Sequence, residues 1–244
     1  PEPSDLAKSG GAFLLLTIQQ KGSARFGQVR WFWFGFWPQD DMNAPESAGA
    51  SITVYVPKDA KLSEAVLLTD SGYITCEGIS ADRLKMTDAY GDIDLLDLRA
   101  QEMEIKLESG RLEMERVEGG SCTVADEYGN ASFAQVTLSG DMQVHMESGD
   151  VCFRDTVMRG LELKNAYGSV DGEQAVFGDM QISVESGDCT FAGLAFDSCS
   201  IRQAYGDVDL RLDRDVAEFG YELRTEYGEI QIDGKSMGEA YATL

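Results

Sequence analysis

The stretch that decides the fold is residues 148–187, SGDVCFRDTVMRGLELKNAYGSVDGEQAVFGDMQISVESG, in which Gly149, Gly168 and Gly187 are 19 residues apart. The same step continues along the chain in both directions. A glycine preceded by Ser or Tyr occurs at Gly72, Gly91, Gly110, Gly129, Gly149, Gly168, Gly187, Gly206 and Gly228. Only two steps differ, at 20 and 22 residues. A fixed period of this length indicates a repeat protein.

Each repeat has the pattern of short β-strands. When the glycine is counted as position 1, positions 3, 5, 13 and 15 are almost always apolar and alternate with polar neighbours, as in a strand with one buried face. A unit this short cannot bury these side chains alone, so the units must stack. We therefore predict an all-β fold, a single-stranded right-handed β-helix (β-solenoid) of about nine 19-residue rungs with capped ends.

The residue before the glycine alternates between Ser and Tyr until Tyr227 breaks the order, so a 38-residue double unit underlies the shorter one. This leaves a second arrangement open, in which one physical turn takes a whole double unit and the two kinds of glycine lie on opposite sides. The two arrangements differ in whether Ile93 stacks on Ile74 or lies beside Val170. Side-chain volumes also compensate within repeats, since Gly172 occurs together with Phe177, which predicts a shared core layer.

The repeats divide the chain into three parts. Residues 1–50 lack the repeat and are predicted to be an N-terminal cap or anchor-proximal segment, residues 51–235 the solenoid, and residues 236–244 a C-terminal tail. Residues 52–56 alternate as a first strand. Because residue 1 is Pro rather than Met, we expect a signal or anchor segment to precede the sequence.

Charge excludes one class of partner. The chain has 43 acidic and 20 basic side chains and a net charge of −23, so a phosphate backbone would be repelled over most of the surface. We expect no nucleic-acid partner. The longest apolar runs are about seven residues, much shorter than the roughly 20 that span a bilayer.

Residue types that often carry chemistry are better explained by structure. We expect Cys76, Cys122, Cys189 and Cys199 to point inward as small apolar side chains, and the lone His145 to lie on the surface. The acidic residues at position 2 suggest either a calcium column or, more simply, a solvated face. These are Asp92, Asp150, Asp188, Asp207 and Glu229. We predict no catalytic, cofactor or metal site.

Aromatic residues are the best candidates for partner binding. Tyr90, Tyr128, Tyr167 and Tyr205 should line one edge of the rod with Tyr227, either to cover turn backbone or to form an aromatic strip for sugars or protein. Near the N-terminus, residues 31–37 hold six aromatics in seven positions. Trp31, Trp33 and Trp37 there are predicted to plug the end of the core, with outward rings available to a membrane interface or a sugar.

Three short motifs resemble those of a known family. The strand ending in Pro-Lys-Asp at residues 54–59, the recurring Ser-Gly-Asp-Val and Tyr-Gly-Asp-Ile steps and the Ile-Asp-Gly-Lys stretch at residues 232–235 resemble bacterial adhesin-like domains of unknown function, over residues 51 to 238. The resemblance implies a membrane-anchored, extracytoplasmic protein of the Gram-positive cell envelope, in some cases linked to envelope stress. It implies no catalytic motif.

The function expected from these features is a non-catalytic, adhesin-like envelope scaffold that presents a long surface to an unknown protein or a cell-wall glycan. The alternative is a carbohydrate-active enzyme of the β-helix polysaccharide-lyase type, because solenoids of this kind host such enzymes.

Overall fold

The structure, a computed structural model, describes residues 12–21, 24–32, 61–213, 220–238 and 240–243. All regular elements in these residues are β-strands, which confirms the all-β prediction. In chain order they are β1 (Ala12–Lys21), β2 (Ala24–Phe32), β3 (Lys61–Glu77), β4 (Ser80–Ala134), β5 (Thr137–Ser148), β6 (Val151–Tyr167), β7 (Val170–Ser186), β8 (Cys189–Tyr205), β9 (Val208–Leu212), β10 (Gly220–Tyr227), β11 (Ile230–Ile232), β12 (Lys235–Gly238) and β13 (Ala240–Thr243).

Strand pairing shows that one rung takes a single repeat and not the double unit. Ile93 pairs in parallel with Ile74, and Val170 pairs with both Val151 and Cys189. Each residue therefore lies over the residue at the equivalent position of the preceding repeat. The parallel β-solenoid of about nine 19-residue rungs is confirmed. A 38-residue turn is excluded because the paired residues are 19 positions apart.

The repeat glycines allow the chain to stack closely at the first corner of each rung. A Cβ atom on Gly149 would lie 1.6 Å from the carbonyl oxygen of Gly129, and one on Gly168 would lie 2.1 Å from that of Gly149. Gly149 and Gly168 also have φ angles of 134° and 138°, which residues with a side chain disfavour. The glycine period thus marks positions where a side chain would collide with the backbone of the preceding rung.

A second corner occurs at position 7 of the rung, and the sequence did not predict it. Asp97, Arg116 and Gln174 have φ angles of 51°, 54° and 53°, the left-handed conformation. Glycine has the same conformation at Gly78 and Gly193, with φ angles of 66° and 69°. This corner turns the strand so that positions 8 and 10 also point into the core.

The core runs the length of the rod as columns of apolar side chains. Phe133 and Phe153 stack at 5.1 Å between ring centroids, and Phe177 packs edge to face against Phe153 at 5.8 Å. Phe177 comes from position 10, whereas its neighbours come from position 5. A Cβ on Gly172 would lie 2.1 Å from a ring atom of Phe191, so the missing side chain leaves room for that ring. The prediction that side-chain volumes compensate within one core layer is confirmed.

Antiparallel strands lie at both ends of the parallel stack. β1 pairs in parallel with β3, and β2 pairs antiparallel with β1. At the other end β12 pairs with β11 and β13 with β10, both antiparallel. Such strands interrupt the parallel edge that another chain could extend. Residues 52–56 lie outside the described residues.

Candidate functional site

The tyrosine column, Tyr90, Tyr128, Tyr167, Tyr205 and Tyr227, lies along one edge of the rod. The register places Tyr128 and Tyr167 on either side of Ser148, and Tyr167 and Tyr205 on either side of Ser186. The five side chains are 57–65% exposed. The predicted alignment is therefore correct. Rings that are more than half exposed project from the turns into solvent.

Serines between the tyrosines leave gaps in the column. Ser109, Ser148 and Ser186 are half-buried, whereas the tyrosines one rung away project. The clearest gap is an open cleft of about 430 Å³ between Tyr128 and Tyr167. Ser148 lines this cleft together with Glu147, Glu185, His145 and Lys164. The single histidine is exposed, as predicted, and pairs in the sheet with Lys164.

At the C-terminal end of the tyrosine column, two tyrosines follow each other without a serine between them. Tyr205 and Tyr227 lie on neighbouring rungs, because the last repeat carries Tyr where Ser would follow the alternation. Their rings stack with a centroid distance of 5.0 Å and an interplanar angle of 6°. Since neighbouring strands are about 4.8 Å apart, the ring faces are turned along the rod toward the next rung.

Buried polar side chains support the turns beneath the tyrosines. They lie three residues before the Tyr-Gly glycines, where Ser-Gly rungs from Gly110 onward carry apolar residues. The polar set is Asp88, Asp126, Asn165, Gln203 and Thr225; the apolar set is Leu107, Met146 and Val184. Asn165 Nδ2 donates to the carbonyl oxygens of Gly149 and Gly168 at 2.9 and 3.2 Å. The Gln203 amide and the Thr225 hydroxyl donate to equivalent glycine carbonyls.

Two of these buried side chains are carboxylic acids. Asp88 and Asp126 are 0% and 3% exposed, and burial raises the pKa of each to about 6. The amide N–H of Tyr90 donates to Asp88 Oδ1 at 3.2 Å, which opposes the shift in the pKa of Asp88. The Oδ2 atom of Asp88 has no hydrogen-bond partner among the described residues. A protonated carboxyl fits this position better than a charged one, because a buried charge with an unpartnered oxygen is costly.

The acidic column at position 2 has a structural role. Asp92, Asp150 and Asp188 each accept a hydrogen bond from the backbone N–H at position 2 of the next rung, at 2.9–3.0 Å. Asn130 and Ser169, which interrupt the acidic pattern, accept the same bond. The column therefore joins successive turns, whichever residue supplies the oxygen. Within the described ranges, His, Cys, Asp and Glu side chains form no group of three or more that could hold a metal ion.

The five cysteines are free thiols. The four that were predicted to point inward are buried, and burial raises the pKa of Cys76 and Cys122 to about 12. The pKa of Cys189 and Cys199 is also raised by burial. Cys152 is half-buried and its pKa is raised by burial as well. Thiols held protonated are poor nucleophiles, so the prediction that they fill the core is confirmed for the four buried cysteines.

The chain matches the sequence pattern of the Toastrack family, a domain of unknown function (DUF4097), over residues 16–151 and again over residues 102–242. The chain belongs to this family. The two matches overlap, as expected for a repeat whose neighbouring rungs share one pattern. No curated protein and no solved structure matches the chain. Membership of the Toastrack family agrees with the solenoid but assigns no activity.

The tryptophans of this Toastrack domain fall at the border of the described residues. Trp31 pairs with Leu14 in the β1–β2 ladder. Trp33 and Trp37 lie outside the described residues, so the predicted plug and its outward rings stay a prediction. In the part of the chain that the structure describes, no helix has the length and apolar character that crossing a membrane requires.

Proposed function

We propose that this Toastrack domain is a non-catalytic, adhesin-like scaffold of the cell envelope that presents a long surface to a protein or cell-wall partner. The observation that carries the proposal is the tyrosine column. Five exposed aromatic side chains recur on one edge of the rod at fixed steps of the register. Large apolar surface in a regular arrangement is typical of interaction sites.

The rigidity of the rod supports a presenting role. Successive rungs are joined by backbone ladders along β3 to β8 and by the position-2 hydrogen bonds between turns. Each rung contacts only its neighbours, so the spacing of surface groups is fixed along the whole length. A partner with a repeating structure can therefore make the same contact several times.

The location in the envelope rests on the family resemblance of the repeat motifs. The net charge of −23 supports a surface that avoids nucleic acid and other polyanions. We expect the full-length protein in the membrane or wall fraction of its cells, with the repeat domain accessible to protease from outside, and an envelope stress to change its abundance. Recovery in the cytoplasmic fraction would contradict the proposal.

A carbohydrate-active enzyme of the polysaccharide-lyase type is the competing function. The cleft between Tyr128 and Tyr167 is the place to test it, because His145, Lys164 and the glutamates that line this cleft could transfer a proton. The purified chain should leave acidic polysaccharides intact, as measured by viscosity and by the ultraviolet absorbance of unsaturated ends. Depolymerisation that is lost in Lys164→Met but retained in Lys85→Met, a lysine outside the cleft, would establish the enzyme instead.

A further inference from the structure

The chain itself shows what fits between two tyrosines of the column. Tyr227 stacks on Tyr205 at 5.0 Å with nearly parallel rings. Elsewhere in the column a serine takes the place of every second ring. Three slots result, each with tyrosines one rung above and one rung below the serine. Their serines are Ser109, Ser148 and Ser186.

The width of a slot follows from the strand spacing. Tyrosines two rungs apart are separated by about 9.6 Å, twice the distance between neighbouring strands. A flat ring placed midway lies about 4.8 Å from each tyrosine, close to the 5.0 Å of the stack between Tyr205 and Tyr227. A slot whose tyrosines are oriented like Tyr205 and Tyr227 therefore has the dimensions to accept one ring between two ring faces, and the slots repeat at equal intervals.

A ligand that fills several slots must carry a ring about every 9.6 Å. A polyproline II segment has three residues per turn and a rise of about 3.1 Å, so prolines at every third residue recur on one side about every 9.3 Å. An extended strand returns to the same side every two residues, after about 6.8 Å. The sugar rings of an extended β-linked glycan contain the chain axis in their planes, so their faces are not turned along the rod.

The negative charge beside the slots favours proline-rich segments that carry basic residues. Glu108, Glu127, Glu147 and Glu185 are exposed and each lies next to a tyrosine or serine of the column. None of these four carboxylates takes part in an ion pair within the described part of the chain. A cation between two prolines of the ligand would meet such a carboxylate, and the net charge of −23 favours its approach.

We propose that the tyrosine column is a docking surface for a basic, proline-rich polypeptide segment in the polyproline II conformation, with one proline ring in each slot. This inference rests on the proposed scaffold function and names the class of its partner. Prolines contribute ring surface that is already ordered in the free peptide, which lowers the entropic cost of binding. Arginine or lysine between them pairs with the glutamates beside the slots.

The test uses a fluorescent peptide of four Pro-Arg-Ala repeats and a control peptide of the same composition with proline at every second residue. Anisotropy titrations measure both with the wild-type chain and with Ser109→Tyr/Ser148→Tyr/Ser186→Tyr, which fills the slots while adding aromatic surface. Tyr73→Ser is the matched control, because Tyr73 is 81% exposed and lies outside the column. Thermal melts check that the filled variant folds, and Tyr128→Ser/Tyr167→Ser removes the walls of the central slot instead.

The wild-type chain and Tyr73→Ser should bind the in-register peptide about tenfold or more tightly than the control peptide. Both column variants should lose that preference. Equal binding of the two peptides, or binding that survives in both column variants, would overturn the proposal. So would a neutral β-1,4-linked oligosaccharide that displaces the peptide and binds the filled variant more tightly. Absence of peptide binding with polysaccharide left intact rejects this inference alone, whereas depolymerisation rejects the scaffold function.

Discussion

The Tyr-Gly rungs of the N-terminal and C-terminal halves both bring a glycine against the carbonyl of the preceding glycine, but the buried side chains beneath them differ. Beneath Gly91 and Gly129 the support is a carboxylic acid, Asp88 or Asp126. Beneath Gly168 it is the amide of Asn165, which donates to two glycine carbonyls. The position three residues before the glycine therefore holds a buried polar side chain in both halves, and at Asn165 this side chain donates hydrogen bonds. An amide donates at every pH, whereas a carboxyl donates only when protonated.

The largest effect should be common to both halves. Gly129→Ala and Gly168→Ala would each place a Cβ within about 2 Å of the carbonyl oxygen of the preceding glycine, so each should destabilise the chain by roughly 3 kcal/mol or more. Gly220→Ala is the control, because the nearest atom to its Cβ would be 3.8 Å away. Urea unfolding measures the three variants. A mild effect in only one half would show that the corners are not equivalent.

Exchanging the support in the C-terminal half should reproduce the behaviour of the N-terminal half. Asn165→Asp removes the donor and buries a charge, which should cost about 2–3 kcal/mol at pH 7. Most of the loss should be recovered at pH 4, where the carboxyl is protonated and donates again. Urea unfolding of the variant and of the wild type at each pH measures the loss, because the other carboxylates titrate in both proteins. A loss that is the same at pH 4 would mean that the amide acts through shape alone.

The reverse exchange should stabilise the N-terminal half. The pKa of Asp88 and Asp126 is raised to about 6 in the fold, so each favours folding below its unfolded pKa of about 4 and loses that contribution as the pH rises through 6. Asp88→Asn/Asp126→Asn should therefore raise stability at pH 7 by about 1–3 kcal/mol.

The advantage of the double variant over the wild type should vanish toward pH 4. Taking the difference between the two proteins at each pH removes the contribution of the other carboxylates, which titrate in both. Chemical unfolding at intervals between pH 4 and pH 8 measures this difference. An advantage that persists unchanged at pH 4 would contradict the raised pKa values.

The smallest effect should again be equal in the two halves. Asp92→Ala and Asp188→Ala each remove an acceptor of one hydrogen bond between turns, and each should cost about 1 kcal/mol. Asp92→Asn keeps the acceptor, as Asn130 does in the native column, and should stay close to the wild type. A stability that rises with added calcium and depends on these aspartates would instead support the calcium column.

The sequence predicted the rung because the features that define it repeat. Glycine at position 1 and apolar residues at positions 3, 5, 13 and 15 recur in register, and stacking follows from them. The corner at position 7 left only a partial signal. Gly78, Gly193 and Asp97 favour the left-handed conformation found there, whereas Arg116 and Gln135 have no such preference.

For the candidate site, the sequence predicted the alignment of the tyrosines but not the slots between them. The alternation of Ser and Tyr predicts which side chains share an edge. The slots depend on the ring faces being turned along the rod, the orientation that Tyr205 and Tyr227 have in their stack, and no residue pattern gives that orientation. The support beneath the tyrosines did leave a signal, the alternation of polar Asp126 and Asn165 with apolar Met146.

The central claim is that each 19-residue repeat advances the chain by one rung, which brings the tyrosines into one column. Pulsed electron paramagnetic resonance between spin labels at Tyr90→Cys and Tyr205→Cys tests it directly, in a Cys152→Ser background that removes the half-buried thiol. The two positions are six rungs apart, so we expect one narrow distance distribution centred at about 29 Å, allowing for the label linkers. A distribution centred near half that distance, or a broad one, would contradict it.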